Sequence, residues 1–482
     1  MKNGLSVSLK VAKTSRDQAC WIDPHGRWAV TDPIGSYPVY YHPKYPERGF
    51  SPTPWNFPSH GLSPKAWRSF CTYRGVLGPD AFPEGILRMP AATMGQVKGK
   101  RFHFKVQPAQ KFRFTRQSLH EPVEASRTAF DIGTEYLQRH LRHEKKVVLF
   151  FSSGTDSVVC ALMLIRAGIR FRAVTADYGW ERYSEYPSAK VLAGKMGFAT
   201  ERIRIRAGDY WNSFLEIHKV LQDCPCSNAS SMIWHSLARQ ALQGSTGVVV
   251  TGDHADSLFL GFQEMHAFMP DRPSEYWKKE AIMSPSDRAM AVLPTPTLLE
   301  TTRLWKIAGL KRADLVQFLK RDIQTKRQKL LSHAKNRDLP FLQQKAGQER
   351  AGIPWQHNFL FVERALPGVR FVSPFYDPKM IQFAMAMDSR CKAGEGVSKK
   401  VLRILVREKL GETIPKKASP FPLRIWTFAM PIYVWPYLLP RFWWANLSEW
   451  IINLSKAGKK YTEILQLAAT CLWIGKIAKA KT

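Results

Sequence analysis

From about residue 123 onward, short apolar runs alternate with longer segments whose apolar residues recur every three or four positions. Residues 125–142 carry the helical period, and 146–151 form a compact apolar run that ends in Ser152-Ser153-Gly154-Thr155-Asp156-Ser157. Residues 158–167 return to the helical period, and 171–176 read as a second strand. A further helix–strand step runs from Ser184 through Gly197 into 201–205. Another apolar run, 247–251, ends at Gly252-Asp253-His254-Ala255-Asp256. Strands this short and this apolar are covered on both faces. With helices between them they predict an α/β fold with a doubly wound parallel sheet. Beyond Phe262 the pattern predicts mostly helix.

The two ends of the chain read differently. Residues 1 to about 115 are short strands broken by turn residues, with a Pro-rich stretch from Tyr41 to Pro64. Residues 27–30 and 37–41 flank Asp32-Pro33-Ile34-Gly35 and predict a hairpin. In residues 423–482, Trp426, Trp435, Trp443, Trp444, Trp450 and Trp473 sit among Lys456, Lys459, Lys460, Lys476, Lys479 and Lys481. Two readings of this block stand: a helical region packed as a lid, and an interfacial segment giving peripheral membrane contact. The pattern therefore predicts three domains, 1–118, 123–422 and 423–482.

Composition narrows the setting. With 71 Lys and Arg against 39 Asp and Glu the net charge is +32, which favours anionic ligands: phosphates, an acidic peptide, nucleic acid or a membrane surface. The seven cysteines (Cys20, Cys71, Cys160, Cys224, Cys226, Cys391, Cys471) include no pair of CxxC motifs, which excludes the usual zinc frameworks. This usage suits a reducing cytoplasm. The N-terminus leads into no signal-type apolar run, and no stretch of about 20 apolar residues predicts a spanning helix.

The candidate chemistry lies at two strand ends. A loop rich in Ser and Gly between a buried strand and a helix presents backbone N–H groups and the positive helix end to an anion. Ser152, Ser153, Gly154, Thr155 and Ser157 are the candidate phosphate cradle, with hydroxyls of the serines as added donors. Asp156 is out of place in such a loop unless it holds a cation, so Mg²⁺ bridging it to phosphate is the natural reading. Asp256, delivered by the 247–251 strand, is the second candidate metal ligand, with Gly252 and Asp253 beside the nucleotide. His254 is expected to support this site rather than to ligate.

These segments carry a family resemblance. Residues 152–157 resemble the SGGxDS pyrophosphate loop of the ATP pyrophosphatase superfamily, with Ser153 in place of Gly. Residues 251–262 resemble the TGxGxDExFxGY segment of asparagine synthetases, with Ser257 in place of Glu. Ser373-Pro374-Phe375-Tyr376-Asp377 is similar to VPFLD, and Lys399-Lys400-Val401-Leu402-Arg403 followed by Ile414-Pro415-Lys416-Lys417 to the K-x-LLR…LP…RxK tail. Residues 32–41 are similar to the RDxxGxxPLYY hairpin of the glutaminase domain that precedes such synthetase domains. The resemblance implies an adenine nucleotide alpha hydrolase-like adenylating domain behind a truncated αββα glutaminase-like domain. It also implies ATP and Mg²⁺ as cofactors and formation of an acyl-adenylate that an amine then attacks. A tail lysine, Lys417 or else Lys416, is the implied stabiliser of the leaving pyrophosphate, acting with Asp256.

The departures set the expected subtype. Lys2 stands where a glutaminase has its nucleophilic cysteine, so glutamine hydrolysis is not expected. Arg370 stands where asparagine synthetases carry Glu ahead of VPFLD. The profile is similar to that of lasso-peptide cyclases, which close a macrolactam between a peptide N-terminus and an Asp or Glu side chain. The implied partners are a carboxylate substrate, an amine and a precursor-processing protease. Three alternatives stay open: an ammonia-using amidotransferase acting on an amino acid or sugar acid, a tRNA-modifying ATP pyrophosphatase, and an inactive scaffold. The asparagine synthetase-type segments count against nucleic acid as substrate.

Overall fold

The structure is a computed structural model that describes residues 21–106, 121–261 and 358–411 apart from short gaps, with a few positions in 311–321 and Ile414. The expected helices beyond Phe262 up to residue 357, the 423–482 block, and Lys416 and Lys417 lie outside the described residues. The chain divides into two compact units. The first is built on Met1–Arg113 with two short later segments, the second on most of the chain from Phe114 onward.

In the first unit, strands β1 (Trp21–Ile22), β2 (Trp28–Val30), β6 (Thr93–Lys98) and β7 (Arg101–Val106) form an antiparallel sheet in the order β1-β2-β6-β7. Strands β3 (Tyr40–Tyr41), β4 (Phe50–Ser51) and β5 (Leu87–Arg88) form a second sheet, ordered β4-β3-β5, and α1 is Pro64–Tyr73. Ala29, Val39, Phe50, Met89 and Val97 make the core that the sheets share. Gly95 of β6 is required here, because a Cβ would stand 2.5 Å from the tip of the Phe50 ring.

The expected hairpin across residues 32–35 does not form, since β2 and β3 belong to different sheets. Pro38 has no N–H to offer a ladder. The connection is held instead by Ala92 N donating to Asp32 O (2.9 Å) and Met89 N donating to Val39 O (2.8 Å).

The second unit follows the expected alternation. Helix α2 (Pro122–Leu141) leads to β8 (Val147–Phe150), α3 (Thr155–Arg166), β9 (Arg172–Asp177), α4 (Tyr186–Lys195) and β10 (Thr200–Arg204). Then come α5 (Ala207–Val220), α6 (Ala229–Leu242), β11 (Gly247–Val250), the short α7 (Ala255–Leu258), β12 (Val369–Val372), α8 (Pro378–Ala386) and α9 (Lys400–Leu410). The five strands are all parallel and ordered β10-β9-β8-β11-β12.

Strand β8 is buried throughout, as the run Val-Val-Leu-Phe requires. Helices α2, α3 and α9 pack on one another, while α4 and α6 lie against β9 and β10 with α5 on α6. From β8 the chain steps one way to β9 and β10, and then returns to the other side for β11 and β12. The switch point therefore lies between the carboxyl ends of β8 and β11, where doubly wound folds bind ligands. No helix among the described residues is long and apolar enough to cross a membrane.

One buried group in this core gives the fold a pH limit. His235 of α6 has no exposed surface; Nδ1 lies 2.9 Å from Ser213 Oγ, and Nε2 lies 3.3 Å from Glu216. Glu216 is shared with Arg239 (3.2 Å). Burial, helped by the Arg239 charge, depresses the imidazole from 6.5 to about 4 despite the nearby carboxylate. The unfolded chain therefore takes up a proton here below about pH 6.5 and the native chain does not. Stability is full above that pH and falls as the pH drops toward 4, by about 3 kcal/mol at about 1.4 kcal/mol per pH unit. Urea midpoints from pH 7 to pH 4 should show this loss, and His235→Gln should flatten it.

Candidate functional site

The loop after β8 is shaped by its own hydroxyls. Ser157 Oγ accepts from Ser152 N (3.1 Å) and lies 3.0 Å from Ser152 Oγ, within reach of the Ser152 and Gly154 carbonyls. Gly154 N donates to Ser152 Oγ (3.1 Å). Ser152 and Ser157 thus fold the loop back on itself, which engages two of the three hydroxyls expected beside phosphate, those of Ser152 and Ser157 but not Ser153. Gly154 is the N-cap of α3, followed by the buried Thr155 and then Asp156. The first turn of a helix leaves N–H groups without intrahelical acceptors, donors of the kind that can meet an anion.

Strand β11 delivers the second half. Gly252 follows it and faces Asp156 so closely that a Cβ there would come 2.5 Å from Asp156 Cβ and 2.9 Å from its carbonyl carbon. Asp156 and Asp256, assigned from sequence to one metal, are brought together, and a third residue joins them. Lys399 Nζ lies 2.6 Å from Asp156 Oδ2 and 2.6 Å from Asp256 Oδ1. The Lys399 side chain is 13% exposed, less than either carboxylate, so its ammonium is enclosed rather than solvated. Gly261 closes the wall, since a Cβ there would overlap Asp256 Oδ1 and Lys399 Cε.

The charges in this cluster pull against burial. Burial raises the Asp156 carboxyl above the usual range, opposed by Lys399 and reinforced by the charge of Asp256. Burial alone would lower the Lys399 ammonium, but the two carboxylates outweigh it and hold its pKa above the ordinary value. Asp156 Oδ1 is buried with no hydrogen-bond partner among the described residues. An acceptor left in this way fits a cation, so the residues suit Mg²⁺. Among the described residues no three His, Cys, Asp or Glu side chains group as a metal site. Mg²⁺ is commonly held by one or two carboxylates, with phosphate oxygens and water completing its shell.

Asp253 faces a different partner. Its Oδ2 accepts from Tyr376 Oη (3.1 Å) and its carbonyl from Ser373 Oγ (2.8 Å). His254 adopts a left-handed backbone (φ 74°), uncommon without glycine, and its ring stacks on Tyr376 at 4.6 Å and 6°. His254 thus packs against the tyrosine that hydrogen-bonds Asp253. The Tyr376 hydroxyl is pushed well above its ordinary pKa by burial and then by Asp253, so it remains a donor. Arg370 does not reach this edge: its guanidinium pairs with Glu144, ahead of β8 on the opposite side of the sheet.

Comparison with known proteins bears on the same segments. The asparagine synthase family model matches residues 134–434, well over half of the chain. The chain belongs to the asparagine synthase family. It is therefore a member of a family of ATP-using, amide-forming ligases. Among solved structures it is similar to an NH3-dependent NAD synthetase from Campylobacter jejuni subsp. jejuni NCTC 11168 in complex with the nitrate ion. That likeness has 16% identity and a TM-score of 0.23, covering 43% of this chain and 95% of the other. No curated protein matches the chain.

Within the asparagine synthase match fall the Ser152–Ser157 loop, Gly252, Asp253, Asp256, Lys399, Lys416 and Lys417. Lys399 is the residue that sequence reasoning passes over. Its only signal is its place at the head of the K-x-LLR segment, which does not say which of Lys399 and Lys400 turns inward.

Proposed function

We propose that this chain activates a carboxylate with ATP, giving an acyl-adenylate and pyrophosphate, and joins the acyl group to an amine. The observation that carries this reading is the Asp156–Lys399–Asp256 cluster at the switch point of the parallel sheet, beside the start of α3. A bound Mg²⁺ would supply charge neutralisation at the phosphates, held by Asp156 and Asp256. A substrate carboxylate oxygen attacks the α-phosphorus, and the bond to the bridging oxygen of pyrophosphate breaks. Lys399, with Lys417 or Lys416 from the tail, stabilises the charge gathering on the departing pyrophosphate. The amine then attacks the acyl carbon, AMP leaves with its oxygen, and Asp253 takes the proton that the amine loses. Tyr376 holds Asp253 for that step by its hydrogen bond.

The substrate class we propose is a peptide closed into a macrolactam, with a precursor-processing protease as partner. Its support is the lasso-peptide-cyclase-like sequence profile, the +32 charge and Ser257 in place of the family Glu. The first unit, with the two antiparallel sheets described for it, is proposed as a glutaminase-like remnant without glutaminase activity, and the setting as cytoplasmic. Membership of the asparagine synthase family favours a second reading, transfer of free ammonia to a small amino or sugar acid.

One experiment separates the two. Purified protein with ATP and Mg²⁺ is given either a linear peptide with a free N-terminal glycine and an internal Asp, or L-aspartate with ammonium. Equal AMP and pyrophosphate, with loss of one water from the peptide, supports macrolactam formation. Asparagine supports the second reading. Absence of AMP with every carboxylate sinks both. Glutamine added to either arm should yield no glutamate.

In the productive arm, Tyr376→Phe should leave adenylation intact and slow amide formation by about tenfold, a fraction of what loss of a proton acceptor costs. Pyrophosphate exchange into ATP reads the first step and product mass the second. Equal loss in both would contradict the role given to Asp253.

A further inference from the structure

Lys399 is held in the carboxylate pair by the backbone on both sides. The residue sits at the head of α9 in a left-handed conformation (φ 53°), a strained choice for a side chain with a Cβ. The turn around it is pinned by Arg403, whose Nε donates to Ser398 O (2.9 Å) and whose Nη1 donates to Ile414 O (3.0 Å). On the other wall, Gly261 N donates to Asp256 O (2.8 Å) and gives up the Cβ space that Lys399 Cε and the Asp256 carboxylate need. An ammonium placed in this way engages one oxygen of each carboxylate that a divalent cation would use.

Free metal and Lys399 therefore compete for the same two groups. A cation arriving alone must displace an enclosed ammonium and leave it without a counter-charge, which is costly in a desolvated site. A cation arriving with a polyphosphate brings anionic oxygens that can accept from the displaced ammonium through charge-assisted hydrogen bonds. We propose that Lys399 makes divalent-cation binding at Asp156 and Asp256 conditional on a polyphosphate, so that metal and nucleotide load together. This inference rests on the two-aspartate metal reading above. It adds an order of binding, with Lys399 as the residue that imposes it.

The test uses Mn²⁺ as the probe, followed by its paramagnetic resonance signal, with and without inorganic pyrophosphate on the full chain. Wild type should bind Mn²⁺ weakly alone and much more tightly with pyrophosphate. Lys399→Met and Lys399→Gln should each bind Mn²⁺ alone about tenfold or more tightly than wild type, because a competing unit charge is gone. The enhancement by pyrophosphate should shrink in both. Lys399→Arg, which keeps the charge, should retain weak binding of the bare ion, and Asp256→Asn added to Lys399→Met should remove the gain.

If Mn²⁺ with pyrophosphate needs both carboxylates, yet Lys399→Met and Lys399→Gln bind the bare ion no better than wild type, the inference fails and the metal reading stands. If that binding is unchanged by Asp156→Asn and by Asp256→Asn, the metal reading fails and takes the inference with it.

Discussion

Asp156→Asn should reduce pyrophosphate release from ATP by about 10³-fold, the scale expected when a preorganised group at the site of developing charge is removed. The amide keeps the size of the side chain, so the α3 start and its contact with Gly252 should survive. Three consequences meet at this residue. The buried Oδ1 would no longer belong to an anion, Lys399 would lose one of its two counter-charges, and a cation would lose half of its protein ligands. Circular dichroism and the thermal midpoint should stay near wild type while turnover collapses. A variant that folds and releases pyrophosphate at the wild-type rate would remove Asp156 from the chemistry.

Gly252→Ala should have the second largest effect, for a reason of space rather than charge. The new methyl would stand 2.5 Å from Asp156 Cβ and 2.9 Å from its carbonyl carbon, and neither belongs to a flexible side-chain end. Either the strand end or the start of α3 must shift. We expect a stability loss of about 1–3 kcal/mol, as for other overpacked sites. We also expect pyrophosphate release to fall by about 10²-fold, since a displacement of about 1 Å is enough to cost that much. Gly194 in α4 is the matched control. A Cβ there meets nothing within 4 Å, so Gly194→Ala should be neutral or stabilising by up to about 1 kcal/mol with activity unchanged. Chemical denaturation and a pyrophosphate assay on the two variants separate crowding at the site from a general dislike of substitution.

Much of this site was legible in the sequence because polar loops at the ends of buried strands are unmistakable. The apolar runs at 147–150 and 247–250 end in Ser152–Ser157 and Gly252–Asp256, and a parallel sheet puts such ends on one edge. What the pattern does not carry is which strands are neighbours. That β8 and β11 lie side by side, and so bring Asp156 to Asp256, comes from packing across about a hundred residues of chain. Strand β12 is hidden by Arg370, whose charge interrupts the run although its guanidinium simply reaches Glu144 at the far edge.

The failed hairpin has a similar cause. Local turn residues at 32–35 fit a hairpin, but the partners of Tyr40 and Tyr41 lie at residues 50–51 and 87–88. The inward turn of Lys399 is not legible in the sequence. Adjacent lysines look alike in sequence, and only the left-handed turn ahead of α9 sends this one inward.

The claim that a carboxylate is adenylated is tested most directly by oxygen transfer. The linear peptide, or L-aspartate in the second arm, is labelled with ¹⁸O in its carboxylates and converted with ATP, and the phosphorus products are read by ³¹P resonance and mass. Attack on the α-phosphorus predicts ¹⁸O in AMP and none in pyrophosphate or inorganic phosphate. Label in inorganic phosphate, with ADP as the nucleotide product, would mean an acyl phosphate and would contradict the account.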